Sequence, residues 1–234
     1  ASILSDVESL SHCILLWRSF THWIGGMGVL VFILCLLPLT GGYHMNLMKA
    51  ESPGPSVSKL VPKVQSTAKI LYTIYILMTV VEMVFLLLGG MPLFDTLCLS
   101  FGTAGTGGFG IKNDSIASYS TYNQIVITVF MILFGVNFNA YYLLLSKKVM
   151  QAAKNEEVRY YLGIIGLAIV AIAVNTRDMF TSFGRAFQQA AFQVGSIITT
   201  TGYATTDFNV WPVFSKTILV ILMFVGACAG STGG

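Results

Sequence analysis

Long apolar runs alternate along this chain with short links rich in proline, glycine and charge. The apolar blocks cover residues 17–39, 68–88, 122–145 and 158–174, and a last one begins at Trp211-Pro212 and fades after Phe224. At 1.5 Å per helical residue, such blocks approach or cross the roughly 30 Å of hydrocarbon in a bilayer. After 68–88, Gly89-Gly90-Met91-Pro92 breaks the helix and restarts it, because proline suits a first helical position where its missing N–H costs nothing. Asp95 falls in that first turn, where exposed N–H groups favour a carboxylate. The new helix holds only about ten residues before Gly102, a rise of about 15 Å, so it stops near the midplane of the membrane. A second half-depth helix is predicted over 183–197, after the polar turn 175–182.

Each half-helix ends in a threonine–glycine turn. The first is Ala104-Gly105-Thr106-Gly107 and the second Thr199-Thr200-Thr201-Gly202, with Gly107 and Gly202 lying 95 residues apart. The unit is span, half-helix, turn, span, and both copies run in the same direction. A repeat of this kind implies several copies packed around an axis. Block 17–39 reads as the second span of an earlier copy, and Gly25-Gly26-Met27-Gly28 thins it for close approach by another helix. Non-helical backbone at the midplane is tolerated only where protein or a water-filled cavity covers it. Rings of carbonyl oxygens from such turns can replace an ion's hydration shell. Glycine lets successive carbonyls take the required angles, and the half-helix C-terminus favours a cation. No charged side chain lies within either turn.

Composition narrows the class. The chain is 55% hydrophobic and 10% charged, against about 25% charge in soluble chains, and its mean hydropathy is +0.75. The net charge of +3 is small and unevenly placed, which bears on topology rather than on nucleic acid. Residues 40–69 and 146–159 hold four Lys or Arg each, eight of the thirteen, so these links are expected to be cytoplasmic. The half-helices then enter from outside. Cys13, Cys35, Cys98 and Cys228 show no disulfide or metal spacing, and His12, His22 and His44 no ligand spacing. The chain begins at Ala1 and stops inside Ser231-Thr232-Gly233-Gly234, which reads as a piece of a longer protein.

Several polar residues carry two readings each. Glu82 either faces a pathway or reaches the outer interface. Asn137 and Asn139 either bond helix to helix or line an inner vestibule. Lys59, Lys63, Lys147 and Lys148 mark the inside, or dock anionic lipid or a partner. Arg177 and Asp178 form a solvated pair, and Asp207 raises the local cation concentration at an entrance. A polytopic membrane enzyme would have to gather Asp95, Glu82 and His22 at one depth.

Four stretches resemble a known family: Trp17-Arg18-Ser19-Phe20-Thr21-His22-Trp23-Ile24-Gly25-Gly26-Met27-Gly28, Ala50-Glu51-Ser52-Pro53-Gly54-Pro55, Thr199-Thr200-Thr201-Gly202-Tyr203 with Thr205-Thr206-Asp207, and the glycine-rich tail from Gly226. They are similar to the Trk/Ktr superfamily of bacterial potassium uptake proteins, the TrkH branch more than the KtrB branch. The resemblance implies an all-α membrane protein with four such repeats around one potassium pathway. It divides the chain into the end of repeat one (1–39), a cytoplasmic link (40–66), repeat two (67–148), a second link (149–157) and repeat three (158–234). Ala104, Gly105, Thr106, Gly107, Thr199, Thr200, Thr201 and Gly202 would then offer backbone carbonyls to potassium, the transported substrate. Gly226, Ala227, Cys228, Ala229, Gly230, Ser231, Thr232, Gly233 and Gly234 would begin an intramembrane gate loop. The implied setting is the inner membrane, as a homodimer in contact with lipid and with a TrkA-like cytoplasmic ring of nucleotide-binding regulatory subunits. Sodium- or proton-coupled symport within the same superfamily stays open.

Overall fold

A computed structural model describes residues 6–28, 64–145, 150–151 and 155–234. The second half of block 17–39 and most of link 40–66 lie outside the described residues. Eight α-helices carry the described architecture: α1 His12–Gly26, α2 Val64–Leu88, α3 Leu93–Ala104, α4 Thr121–Phe134, α5 Phe138–Leu145, α6 Glu156–Asn175, α7 Phe183–Ile198 and α8 Val213–Val225. Among the described residues there is no β-strand.

Among the described residues, two helices are long and apolar enough to cross a membrane unaided, over Ala68–Leu88 and Glu156–Asn175. Each opens the same sequence of elements, a long helix followed by a short helix, a turn and a further helix. Their exposed faces carry Ile76, Val80, Val84 and Leu87 on α2, and Leu167, Val170 and Val174 on α6. Hydrocarbon, not water, is the solvent such a surface fits.

The short helices are placed by a recurring rule. Helix α3 packs against α2 and α4 of its own repeat and against α1, while α7 packs against α6 and α8 of its own repeat and against α4. Helix α4 therefore stands to α7 as α1 stands to α3. Both short helices are buried mainly toward their C-terminal ends, with Thr96, Cys98, Leu99, Ser100, Gly102, Thr103 and Ala104 buried on α3. On α7 the buried set includes Gln189, Phe192, Gln193, Gly195 and Ile198. Small residues make the close approaches possible: a Cβ on Gly26 would fall 2.6 Å from the Cα of Gly105.

Block 122–145 is broken rather than continuous: α4 stops at Phe134 and α5 leaves at 90° to it. Helix α1 likewise begins at His12 and stops at Gly26, with Gly28 at φ +80°. The helices that follow a turn are thus 15, 14 and 13 residues long (α1, α4 and α8), and each stops at or beside a glycine: Gly26, Gly135 or Gly226. At 1.5 Å per residue they rise only about 20 Å, less than the hydrocarbon thickness.

Candidate functional site

The two turns have the same backbone. Helix α3 is followed by Gly105 (φ −81°, ψ 2°) and Thr106 (φ +49°), and α7 by Thr199 (φ −85°, ψ 0°) and Thr200 (φ +59°). Glycines at positive φ come two residues later, Gly108 at +62° and Gly202 at +88°. The hydrogen bonds repeat as well. The N–H groups of Thr106 and Thr200 donate to the carbonyls of Thr103 and Ile197, both at 3.0 Å. Their hydroxyls reach back to the carbonyls of Gly105 (2.8 Å) and Thr199 (2.6 Å). Every equivalent pair is 94 residues apart, so the backbone aligns Gly108 with Gly202, and Gly107 with Thr201.

Side chains are turned back into the protein. The Thr199 hydroxyl donates to the Gly195 carbonyl (2.7 Å) and sits 2.7 Å from the hydroxyl of Thr201, both side chains being buried. Among the described residues, no donor is bonded to the carbonyls of Thr106, Gly107, Thr200 or Thr201. Polar oxygens left without donors inside a membrane protein call for water or a cation. The turns are also neighbours, since a Cβ on Gly108 would land on the Thr201 carbonyl.

Each turn is followed by an aromatic residue that wedges into the preceding repeat. Tyr203, 1% exposed, donates from its hydroxyl to the Leu99 carbonyl on α3 (3.2 Å), and its own carbonyl accepts from Ser196 Oγ (2.6 Å). Phe109 takes the equivalent place beside α1. Its ring lies 4.3 Å from that of His22 and 5.3 Å from the Arg18 guanidinium, which donates to the Gly110 carbonyl (2.6 Å). In the return loop Tyr119 donates to Asp95 Oδ2 (2.7 Å). Burial, reinforced by that carboxylate, holds the Tyr119 hydroxyl well above the ordinary tyrosine range.

Residues 226–234 fold back against both turns. The loop leaves α8 at Gly226 (φ +70°) and turns again at Gly230 (φ +73°). Gly234 N donates to Thr200 Oγ1 (3.0 Å), and the Thr106 hydroxyl proton lies within reach of two carbonyls, those of Gly105 and Thr232, both at 2.8 Å. The loop also fills the break between α4 and α5. Thr232 N and Cys228 N donate to the carbonyls of Phe134 (3.3 Å) and Gly135 (3.0 Å), and Phe138 N donates to the Gly230 carbonyl (3.0 Å). Backbone groups that a continuous helix would have paired internally are satisfied instead across repeats. A cavity of about 890 Å³ lies beside the loop, bordered by Gly25, Leu71, Phe138 and Glu157 among others.

The remaining candidates fall as follows. Glu82 is fully buried, so it reaches no outer interface. Asn137 bonds Glu157 from its amide nitrogen (3.0 Å) and accepts from Asn139 N (2.9 Å), the helix-to-helix reading. Arg177 and Asp178 pair at 3.2 Å with both side chains exposed. Asp207 caps the short helix Phe208–Val210 by accepting from Asn209 N (2.9 Å). Asp95, Glu82 and His22 each sit in separate surroundings, on α3, α2 and α1. Sequence reasoning overlooked Glu157 and the wedge pair Phe109 and Tyr203; aligning those two aromatics would have revealed the 94-residue register.

The family model TrkH, described as a cation transport protein, matches residues 1–234. The chain is 36% identical over its whole length to the Trk system potassium uptake protein TrkH of Salmonella typhimurium, covering 50% of that protein. It is 33% identical to the Trk system potassium uptake protein TrkG of Escherichia coli, of which it covers 49%. The crystal structure of the potassium transporter TrkH from Vibrio parahaemolyticus superposes with a TM-score of 0.82 at 32% identity, covering all of this chain and 48% of that one. The chain spans about half the length of the curated relatives it matches.

Proposed function

The chain belongs to the TrkH cation transport protein family, and from that premise we propose that it supplies two walls of a potassium uptake pathway across the inner membrane. The carbonyls of Ala104, Gly105, Thr106 and Gly107 form one wall, and those of Thr199, Thr200, Thr201 and Gly202 the next. Residues 226–234 act as the gate beneath them. The observation that carries the reading is the twin turn: the same positive-φ pattern at Thr106/Gly108 and Thr200/Gly202, in two turns that touch. A dehydrated cation needs oxygen ligands from several directions at once, and repeated turns around an axis provide them without a charged side chain. The C-terminal ends of α3 and α7 add partial negative charge at the same place.

The relatives' names attach them to Trk systems for potassium uptake. By that kinship the full-length protein works as a homodimer, in lipid, under a TrkA-like cytoplasmic ring of nucleotide-binding subunits. Such a ring would meet the basic links, which lie on the cytoplasmic side by the positive-inside rule.

Potassium uptake tests the reading in proteoliposomes of the full-length protein, using radioactive rubidium with sodium as competitor. At Gly202 φ is +88° with open space where a Cβ would go, so Gly202→Val changes the backbone rather than the packing. The variant is expected to fold and to lose discrimination against sodium, or to lose flux. Unchanged potassium selectivity in Gly202→Val contradicts the assignment.

A further inference from the structure

Glu157 lies in the first turn of α6, where a carboxylate beside Asn155 and Glu156 suggests nothing more than helix capping. Its contacts say otherwise. Oε1 accepts from the backbone N–H of Ala229, in the middle of the glycine-rich loop (2.5 Å). Oε2 accepts from the Asn137 amide nitrogen at the α4/α5 break (3.0 Å). One half-buried side chain thus ties three elements that are remote in sequence: the start of repeat three, the break in repeat two, and the loop that touches both filter turns. The other loop contacts, through Gly226–Gly234 backbone and the Phe134, Gly135 and Phe138 backbone, are between neutral groups. The Ala229 bond has an ionisable acceptor, and bonds of that class are about twice as strong.

We propose that Glu157 is the latch of the loop: a positioning residue whose carboxylate holds residues 226–234 across the pathway, so that releasing Ala229 from it precedes conduction. This rests on the loop being the gate. The chemistry of the pair gives a sharp test. Glutamine at this position cannot serve both donors, because one end of its amide would face an N–H with an N–H of its own. Asn137 could turn its amide over to relieve that clash, but its oxygen would then abandon Asn139 N. Adding Asn137→Asp restores every bond. The new amide oxygen takes Ala229 N, its nitrogen donates to the new carboxylate, and the second carboxylate oxygen keeps Asn139 N.

Rubidium flux of the full-length protein, reconstituted without regulatory subunits, should rise about tenfold in Glu157→Gln and likewise in Asn137→Asp, the worth of one charge-assisted bond. The double variant should return to about the wild-type rate. Potassium-over-sodium selectivity should stay the same in all three, which a general loosening of the fold would not leave intact. Unchanged or lowered flux in the single variants, or a double variant as fast as the singles, overturns the latch. Should Glu157→Gln fail to fold, Asn137→Asp and the double variant carry the same comparison, and a double variant that also fails to fold overturns the exchange of roles. Wild-type protein that passes no potassium sinks the transport reading and the latch with it; wild type that conducts, with all variants at its rate, sinks the latch alone.

Discussion

Thr106 and Thr200 hold φ of +49° and +59°, a region that β-branched residues rarely enter. Each such residue costs on the order of 1–3 kcal/mol and persists only where its surroundings over-determine it. Here they do: each hydroxyl bonds the preceding carbonyl, and each also meets the glycine-rich loop, Thr106 through Thr232 O and Thr200 through Gly234 N. The strain is therefore held in place from the loop side as well as from the helix end. Gly108 is the tightest point between the walls, at φ +62° with the Thr201 carbonyl where a Cβ would be. Gly108→Ala should cost about 1–3 kcal/mol from overpacking, plus about 1–2 kcal/mol for the left-handed backbone. A thermal melt of the detergent-purified protein measures that loss. A melt equal to wild type would mean that the turns do not touch there.

At the scale of helices, the breaks matter as much as the spans. Helix α4 is capped by Gly135, and a Cβ there would come within 2.9 Å of the Thr199 methyl and strike the Tyr161 hydroxyl. The break in one repeat is thus packed against the turn of the next. Gly135→Val should lower stability by about 1–3 kcal/mol and reduce rubidium flux together, since the displaced group belongs to the turn. Reduced stability with normal flux would uncouple the break from the pathway. The long first spans and the shorter helices after them were legible, because length and Gly-Pro punctuation mark them: Ala68–Leu88 is long and apolar enough to cross a membrane, and Gly89 to Pro92 separates it from the short helix that follows. The α4/α5 break was not. Leu133-Phe134-Gly135-Val136-Asn137-Phe138 carries only Gly135 and Asn137 as local marks at the bend, and the groups that stabilise it belong to residues 228–232, over ninety positions later. Local pattern cannot see a partner so far along the chain. Glu157 was hidden for the same reason, being an ordinary helix-start acid until the loop is folded against it.

For the whole molecule, the recurring rule of packing is the informative feature. Each short helix is flanked by the helices before and after it and by the post-turn helix of the preceding unit, and the post-turn aromatics reach into that preceding unit too, Phe109 against α1 and Tyr203 against α3. Under the proposed reading, this rule continued around an axis would close a ring with the two turns at its centre, the arrangement the family resemblance implies. The loop lies against the start of α6, next to the basic link, which places it on the cytoplasmic side of the turns if that link is inside. The central claim is that uncharged peptide oxygens, not side chains, hold a dehydrated cation between those turns. Anomalous diffraction from crystals of the full-length protein grown in thallium, a heavy stand-in for potassium, tests it most directly. The account predicts thallium peaks within coordination distance of the carbonyl oxygens of Thr106 and Gly107 on one wall and of Thr200 and Thr201 on the next. Thallium bound only at carboxylates, with nothing between the two turns, would contradict it.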